Sequence, residues 1–165
     1  MRITILTLLL VSLFQWQLKA AQVDTINIFS TSMNKSIKAV VIKPDNSADK
    51  VLPTLYLLHG YSGDYSNWVN KVPYIKTLVD RYNYMVVCPD GGYGSWYWDI
   101  HEDQNYQYET FISKELVNHI EQKYTVCKER NGRAITGLSM GGHGALYIGL
   151  RNQDLYGAVG STAGG

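Results

Sequence analysis

Ala134-Ile135-Thr136-Gly137-Leu138-Ser139-Met140-Gly141-Gly142-His143-Gly144-Ala145-Leu146 is the stretch on which the reading of this chain turns. Its first three residues form an apolar run that stops at Gly137, and residues 142–150 read as a helix rich in Gly and Ala. Ser139 therefore falls on a strand-to-helix turn. A Ser hydroxyl is a poor nucleophile at its free pKa and has to be held beside a base. A sharp turn of this kind pushes the side chain clear of a sheet, and it needs small residues two before and two after because the backbone folds tightly there. Gly137 and Gly141 meet that need, while Gly142 and Gly144 let the helix sit close to the strand. The helix N-terminus favours negative charge at the same point. Chance would produce the pattern about 0.1 times in a chain of this composition, so Ser139 is the candidate nucleophile.

Working outward, three more segments resemble the run before Gly137. Leu55-Tyr56-Leu57-Leu58 stops at His59-Gly60, Tyr84-Met85-Val86-Val87-Cys88 stops at Pro89-Asp90-Gly91-Gly92, and Ala158-Val159-Gly160 is shorter. Runs apolar on both faces suit a parallel sheet covered on both sides. Residues 25–30 alternate apolar and polar, and residues 36–43 form a second β-type run; these two are expected to pair antiparallel. Helices are expected over residues 73–81, with Pro73 in the first turn. A longer one is expected along the stripe Tyr108, Phe111, Ile112, Leu116, Ile120 and Tyr124, whose spacings of three and four make one apolar face. The alternation of strand and helix predicts an α/β fold, a mostly parallel sheet with flanking helices. In such sheets ligands bind at the carboxyl ends of the strands.

Other candidate residues fall at those ends. A tetrahedral oxyanion needs two backbone N–H donors, one just after the nucleophile and one from another strand end. Met140 is the candidate for the first and Tyr61, in His59-Gly60-Tyr61-Ser62-Gly63-Asp64, for the second. Trp96, Tyr97 and Trp98 lie in an aromatic segment after the strand ending at Cys88; flat rings there could wall a substrate cleft or simply pack under the next helix. A Ser nucleophile also needs a His base oriented by an acid. His119 lies on the helix stripe and reads as structural; neither His59 nor His143 is expected to point at the Ser hydroxyl, and His101 is a minor candidate.

Composition narrows the class. The chain has 165 residues, 15 basic and 14 acidic. Arg2, the apolar residues 3–14 and the small residues Ala20-Ala21 read as a signal peptide with cleavage after Ala20, too short to span a bilayer comfortably. A secreted or periplasmic protein is expected, with no stable membrane span after cleavage. Residues 21–165 then carry 13 basic and 14 acidic groups, a net charge of −1, and no basic block, which gives no electrostatic case for nucleic acid. Cys88 and Cys127 are expected at opposite ends of non-adjacent strands, too far apart to bridge, and no metal or cofactor is implied.

Taken together, these residues resemble the esterase D and carbohydrate esterase branch (feruloyl and acetylxylan esterase-like) of the α/β-hydrolase superfamily, with the mycolyltransferases as relatives. The resemblance runs from about residue 52 to 165. It rests on Leu57-Leu58-His59-Gly60, Pro89-Asp90-Gly91-Gly92, Gly94-Ser95-Trp96-Tyr97, Tyr108-Glu109-Thr110-Phe111-Ile112 with Glu115-Leu116, and above all Gly137 to Leu146. It implies Ser139 as nucleophile, Tyr61 and Met140 as oxyanion-hole amides, and a serine-dependent carboxylic ester hydrolase acting on acetyl or feruloyl esters of polysaccharide. An acyltransferase of mycolyltransferase type and a non-catalytic carbohydrate-binding relative are the alternatives. The resemblance also implies a triad Asp and His after the nucleophile. The 26 residues after Ser139 hold only Asp154 and His143, neither of which reads as a triad member. Residues 21–165 are thus expected to be the N-terminal part of one domain of about 250 residues. Alone they should be a weak catalyst or none, with an exposed sheet edge.

Overall fold

Alternation decides where the first strands lie. In the computed structural model, which describes residues 20–47 and 50–165, β1 (Gln22–Ser30) buries Ile26, Ile28 and Ser30 and exposes the residues between them. It pairs antiparallel with β2 (Lys35–Lys43) through a turn in which Asn34 takes a positive φ. The expected signal peptide lies outside the described residues except for Ala20.

The remaining strands are β3 (Thr54–Leu58), β4 (Met85–Pro89), β5 (Arg133–Gly137) and β6 (Ala158–Val159). The sheet order is β1-β2-β4-β3-β5-β6; β2 meets β4 antiparallel, and β4, β3, β5 and β6 run parallel. The expected mostly parallel sheet is present, with the first two strands as its antiparallel margin. β4 shows why its sequence is apolar without alternation. Met85 and Val87 face one core layer, Val86 and Cys88 the other, and all four are buried.

Helices cover both faces. Helix α1 spans Asn67–Lys71 and α2 spans Ile75–Tyr82. Ile75 and Val79, one turn apart, bury α2 against Val40, Ile42 and Val86. The helix expected to begin at Pro73 starts two residues later, because the Ile75 amide closes a turn onto the Val72 carbonyl at 3.0 Å. Helix α1 was not anticipated; Asp64 starts it by accepting the amide and hydroxyl of Ser66, both at 2.7 Å. The opposite face carries α3, residues 108–123, and α4 (Met140–Arg151). Tyr108, Phe111, Ile112, Leu116 and Ile120 of the expected stripe are buried. Its middle, Phe111–Leu116, is wound as π-helix. Cys88, on β4, and Cys127, in the loop that leads to β5, are free thiols as expected, and β3 lies between those two strands.

Candidate active site

At the end of β5 the chain reverses within three residues. Ser139 takes φ 54° and ψ −121°, a conformation disfavoured for any residue with a Cβ, and it caps α4. Such a residue costs about 1–3 kcal/mol and persists only where its surroundings over-determine it. Here they do. The Ser139 amide donates to Thr162 O at 2.8 Å, its carbonyl accepts from the His143 amide at 2.9 Å, and the Gly141 amide donates to Leu138 O at 2.8 Å. Gly137 and Gly141 are demanded by the packing. A Cβ on Gly137 would lie 2.5 Å from the Gly141 backbone, and one on Gly141 would lie 2.5 Å from Leu58 O. Gly142 and Gly144 have another use than the one expected. Gly142 admits the 161–164 loop, and Gly144 admits the ring of Tyr97 rather than the strand.

Ser139 is exposed and lines a pocket of ≈ 280 Å³ together with His59, Gly60, Tyr61, Trp68 and Lys71. The loop after β3 thus meets the turn after β5, and Gly60 is close enough that a Cβ there would sit 3.6 Å from Ser139 Cβ. Among the described residues, neither the Tyr61 amide nor the Met140 amide donates a hydrogen bond. Met140 is fully buried. A backbone N–H can serve an oxyanion only if it has no internal partner, a condition both amides meet among the described residues.

Of the two arrangements expected for the aromatic segment, Tyr97 takes the packed one. Tyr97 cannot wall a cleft: it is fully buried, packs against Gly91 and Gly144, and donates its hydroxyl hydrogen to His59 O at 3.0 Å. Trp96 and Trp98 are partly exposed but pack on α4, with ring centroids 5.3 Å and 5.6 Å from His143. Trp96 and Tyr97 both take a positive φ in a turn that leaves Tyr97 buried between two exposed tryptophans, which composition alone does not show. The pocket's aromatic lining is instead Tyr61 and Trp68, the latter anchored by its indole N–H to Leu58 O at 3.2 Å. Trp68 was missed; its place five residues beyond Gly63 was the available signal.

None of the four histidines hydrogen-bonds to Ser139 among the described residues. His59 is buried, its Nδ1 bonded to Gly60 O and its Nε2 accepting from the Gly91 amide, both at 2.8 Å. Burial holds its pKa below the ordinary value, although Gly60 O and Asp90 pull upward. His143 accepts from Trp98 Nε1 at 3.1 Å and meets Gly165 O at 2.8 Å. His119 sits half-buried on α3, and burial lowers its pKa too. His101 and Asp154 are exposed in turns. Among the described residues no group of three or more His, Cys, Asp or Glu side chains is placed to hold a metal ion.

A model of the Esterase family matches residues 30–165. The chain belongs to that family. It is 34% identical over 144 residues to an acetyl esterase of Caldicellulosiruptor saccharolyticus, covering 81% of this chain and 53% of that protein. A diacylglycerol acyltransferase/mycolyltransferase, Ag85A of Mycobacterium bovis, is 29% identical over 151 residues, covering 86% and 43%. Among solved structures, a ferulic acid esterase superposes with a TM-score of 0.74 at 32% identity, covering 82% of this chain and 57% of that one. The sheet and its helices are of the α/β-hydrolase type seen in that esterase. The chain spans about half the length of the curated relatives it matches.

Proposed function

We propose that the protein is a serine-dependent carboxylic ester hydrolase in which Ser139 is the nucleophile and the amides of Tyr61 and Met140 form the oxyanion hole. The observation that carries this reading is the strained turn at Ser139, together with two amides that have no hydrogen-bond partner among the described residues. Ser139 Oγ attacks the ester carbonyl and the carbonyl oxygen takes up the negative charge. The alcohol then leaves, and water releases the acyl group from Ser139. Neither His59 nor His143 is the base in this reading, since both ring nitrogens of each are engaged elsewhere. Acetyl or feruloyl esters of polysaccharide are the proposed substrates, supported by the acetyl esterase and ferulic acid esterase similarities. Export through the leader in residues 1–20 fits such a substrate, and among the described residues no helix is long and apolar enough to cross a membrane.

The test is hydrolysis of p-nitrophenyl acetate by the complete gene product. Ser139→Ala is expected to lower kcat/KM by at least about 10³-fold, the scale of losing an activated nucleophile; an unchanged rate overturns the reading. The similarity to Ag85A supports a second reading, an acyltransferase in which a sugar hydroxyl replaces water. Product analysis with a sugar acceptor present separates the two.

A further inference from the structure

His59 is the histidine that shares the pocket with Ser139, yet it is built as a fastener. Its ring is buried between the loop it belongs to and the loop after β4. The Gly91 amide can only donate, so Nε2 must be the unprotonated acceptor at 2.8 Å. Gly60 O can only accept, so Nδ1 must carry the hydrogen across its 2.8 Å contact. One neutral tautomer satisfies both. The backbone carbonyl of His59 is held as well, by the Tyr97 hydroxyl at 3.0 Å. A Cβ on Gly63 would lie 2.9 Å from Nδ1, so the loop is closed tightly on the ring. Tyr61 stands two residues after this imidazole, and the Ser62 amide ties the same loop to Tyr93 O at 2.8 Å.

We propose that His59 is a proton-operated clamp that positions the Tyr61 amide: the neutral ring ties the 59–63 loop to the loop after β4, and protonation at Nε2 releases it. The clamp's role in catalysis rests on the reading of Tyr61 as an oxyanion donor. A proton on Nε2 would place a ring N–H against the Gly91 N–H, two donors with no acceptor between them, and the contact must open. The groups facing the ring are Asp90 from the loop after β4, its Oδ1 3.9 Å from Nε2, Asp64 from the same loop as His59, and Tyr97 from the aromatic segment. Burial disfavours the charged ring more than the two carboxylates favour it, so the clamp stays closed at neutral pH. Opening turns Nε2 toward Asp90, whose carboxylate can accept the new N–H. His59 is accordingly a positioning residue and not the base.

The experiment is a pH titration of the ¹⁵N-labelled chain by NMR from pH 7.5 to 4.5, which needs no catalytic activity. At neutral pH long-range ring correlations are expected to show the Nδ1–H tautomer for His59. As pH falls, the amides of Tyr61 and Gly91 should shift together with the His59 ring at one midpoint below 6.5. Exchange at the Gly91 amide, corrected for its intrinsic pH dependence, should rise at least about tenfold, while the amides of Ile26 and Ile28 in β1 do not move. In His59→Gln the shared titration of Tyr61 and Gly91 should vanish; if that variant does not fold, the wild-type titration decides alone. An Nε2–H tautomer, a titration that leaves Tyr61 and Gly91 unmoved, or a collapse of the whole spectrum at that midpoint overturns the clamp. Loss of the Ser139 reading would instead show in ester hydrolysis and leave the titration as it is.

Discussion

At the residue scale, Ser139 is where stability and chemistry conflict most directly. Its φ of 54° is cheap only for Gly. Ser139→Gly should therefore stabilise the chain by about 1 kcal/mol, strain relief less the added freedom of the unfolded chain. It should also abolish any ester hydrolysis. Gly141→Ala should do the reverse, destabilising by about 1–3 kcal/mol, because its new Cβ meets Leu58 O. Urea midpoints of the two variants against the parent check both signs. The glycine spacing around Ser139 was legible in the sequence because a tight turn has a fixed demand for small residues at fixed offsets. The fate of Tyr97 was not. Whether a ring between two tryptophans faces solvent or core depends on the backbone turn at Trp96 and Tyr97, both at positive φ, and on the space left by Gly91 and Gly144.

At the scale of elements, α3 is braced to the β1–β2 turn by one carboxylate. Glu115 accepts from Ser30 Oγ and Thr31 Oγ1, each at 2.6 Å, and from the Ser32 amide at 2.8 Å. Burial alone would raise its pKa, but these hydrogen bonds outweigh burial and hold it below the ordinary carboxylate range. The stabilisation is present above the unfolded-state value of about 4.3 and is lost as pH falls through the lower folded value. Glu115→Ala should cost about 2 kcal/mol at neutral pH, the scale of charge-assisted hydrogen bonds on a partly solvated group. The parent should lose that margin only in acid, and thermal melts of both proteins between pH 7 and pH 3 measure it. The apolar stripe of α3 could be read from spacing, since 3.6-residue periodicity is a local property. The brace could not, because Ser30 and Glu115 are 85 positions apart. The π-helical turn between Phe111 and Leu116 likewise left no mark in the spacing of buried residues.

At the scale of the whole molecule, the six-stranded sheet ends at β6, whose two residues are exposed. Beside it, Leu146 and Leu150 lie one turn apart on α4 with 40% and 64% of their surfaces exposed, and Val159 packs next to Gly149. A short edge beside an apolar stripe is a self-association surface. The described chain is expected to self-associate, and Leu150→Lys to shift sedimentation velocity profiles toward monomer. The sequence by itself determined the class of the fold, the placement of Ser139 on a strand-to-helix turn, and two free cysteines. Each follows from local periodicity or from a turn's steric demand, which neighbouring residues supply. Tertiary structure alone decided that Trp68 and not Tyr97 lines the pocket, that Glu115 braces the hairpin, and that His59 has both nitrogens occupied. Those outcomes depend on which donor meets which acceptor when β3, β4 and β5 come into register, and the 32 positions between His59 and Gly91 close only when the sheet forms.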